Sequence, residues 1–86
     1  MARARISALV ISHATEQKLL HKHKITIDEL EDAVVDVVGL KLVWDDHPER
    51  GRRLLVESSI RKRRVIVVLY PTEVADEWNL GSAYFV

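Results

Sequence analysis

The first apolar run of the chain, Ile6 to Ile11, is short and partly β-branched, and it predicts a strand. Ser12 stands where it can cap a helix. Ala14, Leu19, Leu20 and His23 then fall near helical spacing while Glu16, Lys18 and Lys22 stay in solvent, so a first helix is expected to run to about His23. A second helix is expected over residues 27–37. Thr26 and Glu29 have the spacing of a capping box, in which each side chain satisfies an amide of the first turn that has no helical partner. The acids that follow suit the positive end of the helix dipole. Ile27, Leu30, Ala33, Val34 and Val37 or Val38 form an apolar stripe, and Gly39 is placed to end the helix.

Past Gly39 the period becomes two, with Leu40, Leu42 and Trp44 interleaved with Lys41, Val43 and Asp45, as in a half-buried strand. Pro48 and Gly51 mark a connection, and Arg53 to Ile60 resumes the alternation. Arg61 to Arg63 reads as a tight polar turn. Val65 to Tyr70 is continuously apolar, the pattern of a central strand buried on both faces or of one with unusually little polar surface. Pro71 ends it, and an acidic segment with Glu73, Asp76 and Glu77 leads to a last strand, Trp78 to Val86, weakened by Gly81. The expected fold is α+β in the order β-α-α-β-β-β-β, with two helices packed on one face of an antiparallel sheet. Its other face is left as a platform for a ligand or partner.

At 86 residues the chain has room for one modest core, so residues 1–86 are read as a single domain. A composition of 48% hydrophobic and 30% charged residues excludes the disordered class. No run approaches the roughly 20 apolar residues of a membrane span. Arg3 and Arg5 precede an apolar run that His13 and Glu16 interrupt too soon for a signal peptide, so a cytoplasmic protein without membrane contact is expected. The absence of cysteine removes disulfides, thiol nucleophiles and thiolate metal sites. His21 and His23 point to different sides of a helix, and His13 and His47 have no ligand spacing, so neither a metal nor another cofactor is expected.

Net charge is zero, but its distribution is uneven. Asp28, Glu29, Glu31, Asp32 and Asp36 form an acidic segment, whereas Arg50, Arg52, Arg53 and the run from Arg61 to Arg64 hold more than half of the positive charge. Such segregation can build a basic patch on a neutral protein. The stretch from Trp44 to Arg53 gathers acids, a histidine and three arginines at a connection between strands, where side chains can converge on a ligand.

The order of elements, Lys22 and His23 closing a first helix, and the following Ile25, Thr26, Ile27, Asp28, Glu29 and Leu30 resemble the helical hairpin of BrnT-like toxins. The likeness continues through Arg52 and Arg53, the strand Val65 to Tyr70 and the Ser82-Ala83 pair, and covers most of the chain. Such proteins belong to the RelE/ParE class of small toxins. The resemblance implies a RelE/ParE-like fold, a messenger-RNA endonuclease that inhibits translation, and a cognate antitoxin as partner. The ParE branch of that fold poisons gyrase instead, so fold alone does not decide activity. A group of small actinobacterial proteins is a second resemblance and implies nothing about activity. After Ser82 and Ala83 the chain departs from the BrnT-like pattern, with Tyr84 and Phe85 where an arginine is usual.

Metal-independent RNA cleavage needs a base for the ribose 2′-hydroxyl, cations for the developing phosphorane charge and an acid for the leaving oxygen. In that reading His47 or Glu49 handles protons, Arg50, Arg52 and Arg53 clamp phosphate, and Tyr84 donates a proton or stacks on a base. Lys22, His23, Arg61, Lys62 and Arg63 are the further candidates for RNA contact. Each feature also has a plainer reading. Trp44 to Arg53 can be a solvated hairpin whose charges pair with one another, Lys22 and His23 a dipole-stabilised helix end, and Arg61 to Arg64 a charged tip that opposes aggregation. The aromatic strand residues can be core. A non-catalytic interaction module that binds a protein or itself as a homo-oligomer is therefore the competing expectation.

Overall fold

The computed structural model describes residues 4–86, and Arg3 of the N-terminal reading lies outside them. Strand β1 (Ala8–Val10) leads into helix α1, which starts as an α-helix (His13–Lys18) and widens into a π-helical turn (Leu19–His23). Helix α2 (Ile27–Val34) and strands β2 (Lys41–His47), β3 (Gly51–Ile60), β4 (Arg63–Pro71) and β5 (Glu77–Phe85) follow. The five strands form one sheet in the order β1-β5-β4-β3-β2.

The capping signals act as expected. The Ser12 hydroxyl accepts the Thr15 amide at 3.2 Å. At α2, Thr26 accepts the Glu29 amide and Glu29 accepts the Thr26 amide, both at 3.2 Å. The far end of α2 differs from expectation, since the helix stops at Val34, three residues before 37, and Gly39 does not cap it. Val35 is already extended, Asp36 takes a left-handed φ of 55°, and the Asp36 amide donates to the Ile6 carbonyl at 2.8 Å. A tertiary hydrogen bond together with β-branched valines thus outweighs continuation of the helix.

The strand pattern needs one larger correction: the sheet is mixed, because β1 pairs with β5 in parallel while the other three pairings are antiparallel. The alternation of sequence cannot reveal this, since it reports which face a residue occupies and not the direction of its neighbour. β1 is also shorter than Ile6 to Ile11. Ile6 is buried in the core, and Ser7 bonds through its amide to the Asp76 carbonyl at 2.8 Å.

Alternate residues of the sheet meet the helices. Leu54, Val56, Val65, Val67, Leu69, Leu80 and Ala83 join Leu19, Ile25, Leu30, Ala33 and Val34 in one buried core. Ser58 sits in the same row of β3 and donates to the Ala33 carbonyl at 2.8 Å, satisfying one of the carbonyls at the end of α2 that has no helical partner. Neither helix is long and apolar enough to cross a membrane. On the opposite face Val43 and Tyr84 are exposed and Leu55, Ile66 and Tyr70 half-buried, so β4 is the strand with little polar surface rather than one sandwiched between layers. A bulge at Gly81 lets β5 pass beneath the Tyr70 ring, where an added Cβ would lie 2.4 Å from Tyr70 Cε2.

Candidate nucleic-acid interface

The β2–β3 hairpin divides its charges between two faces. Neighbouring residues of a strand point to opposite sides, and the cross-strand pairs are Asp45 with Arg53 and Asp46 with Arg52. On the open face Arg53 Nε donates to Asp45 Oδ2 at 2.7 Å. The hydrogen bond to Asp45 holds the Arg53 guanidinium above its usual pKa, with a further contribution from Tyr70. On the helix face the Arg52 guanidinium lies 4.3 Å from the ring centroid of Trp44, which in turn packs tilted against Trp78 at 5.7 Å. Arg52 and Arg53 therefore cannot clamp one phosphate from their observed positions.

His47 works at the turn itself. Its Nδ1 accepts the backbone amides of Glu49 at 3.2 Å and Arg50 at 3.1 Å, closing a loop that returns to β3 through Gly51 at a φ of 79°. Those bonds use the Nδ1 lone pair, so the neutral ring carries its proton on Nε2. Glu49 and Arg50 project into solvent at the tip. Tyr84 shares the open face with Arg53 but lies two strands away, opposite Ile66, whereas Arg53 lies beside Tyr70. Two inter-strand steps and four residues of offset separate them by roughly 16 Å, too far for a common scissile phosphate. The five residues expected to be catalytic, His47, Glu49, Arg52, Arg53 and Tyr84, do not form one constellation.

The residues expected to bind RNA behave differently. The β3–β4 hairpin turns on Arg61 and Lys62, with φ of 52° and 64°. Two successive left-handed residues match the twist of a two-residue hairpin, but that turn ordinarily takes Asn-Gly. From the tip, Arg61 Nη2 donates to the Lys24 carbonyl at 2.8 Å, and its Nε lies 3.2 Å from Glu29 Oε2. Lys24 closes α1 in a left-handed conformation with a φ of 58°. The hairpin tip is thereby fastened to the end of the helix that carries Lys22 and His23. Arg63 lies over Phe85 at 4.1 Å, and Lys62 is exposed. Lys22, His23, Arg61, Lys62 and Arg63 thus share one end of the molecule, whereas Arg50 sits at the other hairpin.

Sequence reasoning missed two parts of this arrangement. The Lys24 carbonyl has no signature, because its accepting role depends on a residue far along the chain. The stack of Arg52 on Trp44 could have been anticipated, since Trp44 and Arg52 share the parity that faces the helices. Compared with known proteins, the chain matches no family model, no curated protein and no solved structure.

Proposed function

We propose that the protein is an RNA-binding toxin of the BrnT-like kind, neutralised by a cognate antitoxin, and that it grips RNA phosphates through the end built by α1 and the β3–β4 hairpin. The observation that carries this reading is the Arg61–Lys24 hydrogen bond, which joins two basic segments far apart in a chain of zero net charge. The turn adds support. Arg61 and Lys62 occupy positive-φ positions, where side chains cost roughly 1 kcal/mol each, and such strain concentrates at functional sites. The dispersal of His47, Glu49, Arg52, Arg53 and Tyr84 favours binding over metal-independent cleavage.

The test combines labelled single-stranded RNA, purified protein and expression of the chain alone. Expression should arrest growth. Binding should weaken with salt at a log–log slope of about −2 to −3, the value for three or four phosphates on a single strand. Lys22→Ala with Lys62→Ala and Arg63→Ala should abolish binding, while Arg53→Ala leaves it intact. No binding at low salt sinks the reading. RNA cut in the presence of chelator and protected by Arg53→Ala favours the endonuclease instead, and intact RNA with damaged DNA favours a gyrase poison. A non-catalytic protein-interaction module is the second reading, supported by the apolar side chains of the open face, where Val43 and Tyr84 are exposed and Leu55 and Ile66 half-buried.

A further inference from the structure

Strand β2 is an outer strand of the sheet, and among the described residues no strand pairs with its free side. Natural sheets usually blunt such an edge with charge along its length. Here three consecutive residues near its start, Leu42, Val43 and Trp44, are uncharged on both faces, and Val43 is 48% exposed. Charges of opposite sign stand two residues to either side of Val43: Lys41 before it and Asp45 after it. We propose that β2 is a self-complementary edge that pairs antiparallel with β2 of a second copy, about a two-fold axis through Val43.

The register follows from parity and charge. A two-fold axis perpendicular to the sheet keeps each residue on its own face, so only registers centred on a residue form a continuous sheet. Centring on Leu42 places Lys41 against Val43. Centring on Trp44 places Asp45 against Val43 and Asp46 against Leu42, and centring on Asp45 opposes two aspartates. Centring on Val43 alone places Lys41 opposite Asp45 twice, Leu42 opposite Trp44 twice, and Val43 opposite itself.

That register also extends the ion pairs already present on the open face. Within one copy Arg64 bonds to Glu57 at 2.7 Å, Glu57 lies 3.9 Å from Lys41, and Arg53 bonds to Asp45 at 2.7 Å. Across the junction the row reads Arg64, Glu57 and Lys41 of one copy, then Asp45 and Arg53 of the other, with the sign alternating at every step. The two-fold axis generates the row twice. Cross-strand opposite charges and apolar pairs each favour association modestly. On the helix face the backbone positions of Leu42 and Trp44 face each other across the junction, while each Trp44 ring stays turned inward onto Trp78 of its own copy. A junction confined to one strand edge is a small interface, so weak association is expected and the test spans micromolar concentrations. This inference is independent of RNA binding, because the basic end lies on other elements.

Sedimentation equilibrium from about 10 to 500 micromolar should show a monomer–dimer equilibrium. Val43→Lys opposes two lysines at the axis and should raise the dissociation constant at least tenfold, with the circular dichroism spectrum and melting temperature of the monomer retained. Because the chain has no cysteine, Val43→Cys supplies one thiol per copy. The paired positions would lie about 5.5 Å apart, within disulfide reach, so mild oxidation should give a covalent dimer. Val74→Cys, which is 57% exposed and lies on the loop before β5, should stay monomeric under the same oxidation. A monomer across the whole concentration range overturns the proposal. So does a dimer that survives Val43→Lys, or one that cross-links through position 74 as readily as through position 43.

Discussion

Arg61 donates to the main-chain carbonyl of Lys24 across 37 residues of sequence, and this bond fastens the β3–β4 hairpin to the junction between the helices. The same guanidinium meets Glu29, whose other oxygen completes the capping box of α2. One side chain therefore links the hairpin tip, the end of α1 and the start of α2. Arg61→Met keeps much of the aliphatic stem and removes both polar contacts. It should lower stability by about 1 kcal/mol, because the contacts are partly solvated, and chemical denaturation would measure the loss.

Lys62→Gly should move stability and RNA affinity in opposite directions. Glycine relieves the positive φ at the tip and should raise stability by roughly 0.5–1 kcal/mol. Removing the cation should weaken RNA binding and make the salt slope shallower by about 0.7. Thermal melts and anisotropy titrations on the same preparation would show both changes, and a parallel rise in affinity would contradict the assignment of the tip.

His47 acts as a side-chain cap on its own turn. His47→Ala should cost about 1 kcal/mol by leaving the Glu49 and Arg50 amides without their acceptor. His47→Asn should recover most of that loss, since an asparagine oxygen accepts amides in the same local pattern. If His47 instead handled protons in catalysis, both variants would be equally inactive and asparagine would rescue nothing.

Gly81→Ala tests the close approach of β5 to Tyr70. A methyl group there drives into the phenol ring, so the variant should lose about 1–3 kcal/mol unless the ring swings away. Adding Tyr70→Ala should remove most of the cost of Gly81→Ala and leave only the 3.3 Å approach to the Val68 carbonyl. A double-mutant cycle measured by urea unfolding would give the coupling, and strict additivity would show that the two residues do not meet.

The Arg53 pair fixes a pH dependence by its sign. Asp45 holds the folded-state pKa of Arg53 above its unfolded value. A group shifted upward contributes fully below its unfolded pKa and loses that contribution only as pH rises through the folded one. For arginine both values lie at strongly alkaline pH. The melting-temperature difference between the protein and Arg53→Gln should therefore stay constant between about pH 6 and pH 9.

What the sequence discloses here depends on the range of the interaction. Ser12, and Thr26 with Glu29, act on amides within one helical turn, and their capping was readable from spacing alone. Gly39 looked like a helix end because glycine favours that place, but the bond from Asp36 to Ile6 ends α2 earlier through a residue 30 positions away. The candidate site divides in the same manner. Lys22, His23 and the hairpin tip could be named individually, although their meeting required the fold. Arg52 and Arg53 read as one clamp in the sequence, yet strand parity sends adjacent residues to opposite faces.

The parallel pairing of β1 with β5 has a consequence for how the chain comes together. Ser7 reaches Asp76 across 69 residues, and the Trp78 indole donates to the Arg5 carbonyl at 2.9 Å. Strand β1 finds its partner only after the helices and three further strands of the sequence, at Glu77 to Asn79. Until then its edge and Ile6 remain without their final cover, while β2, β3 and β4 can already form hairpins with short loops. Closure of the β1–β5 seam is a long-range, entropically late event. The β1–β5 seam closes last, over hairpins that are already paired.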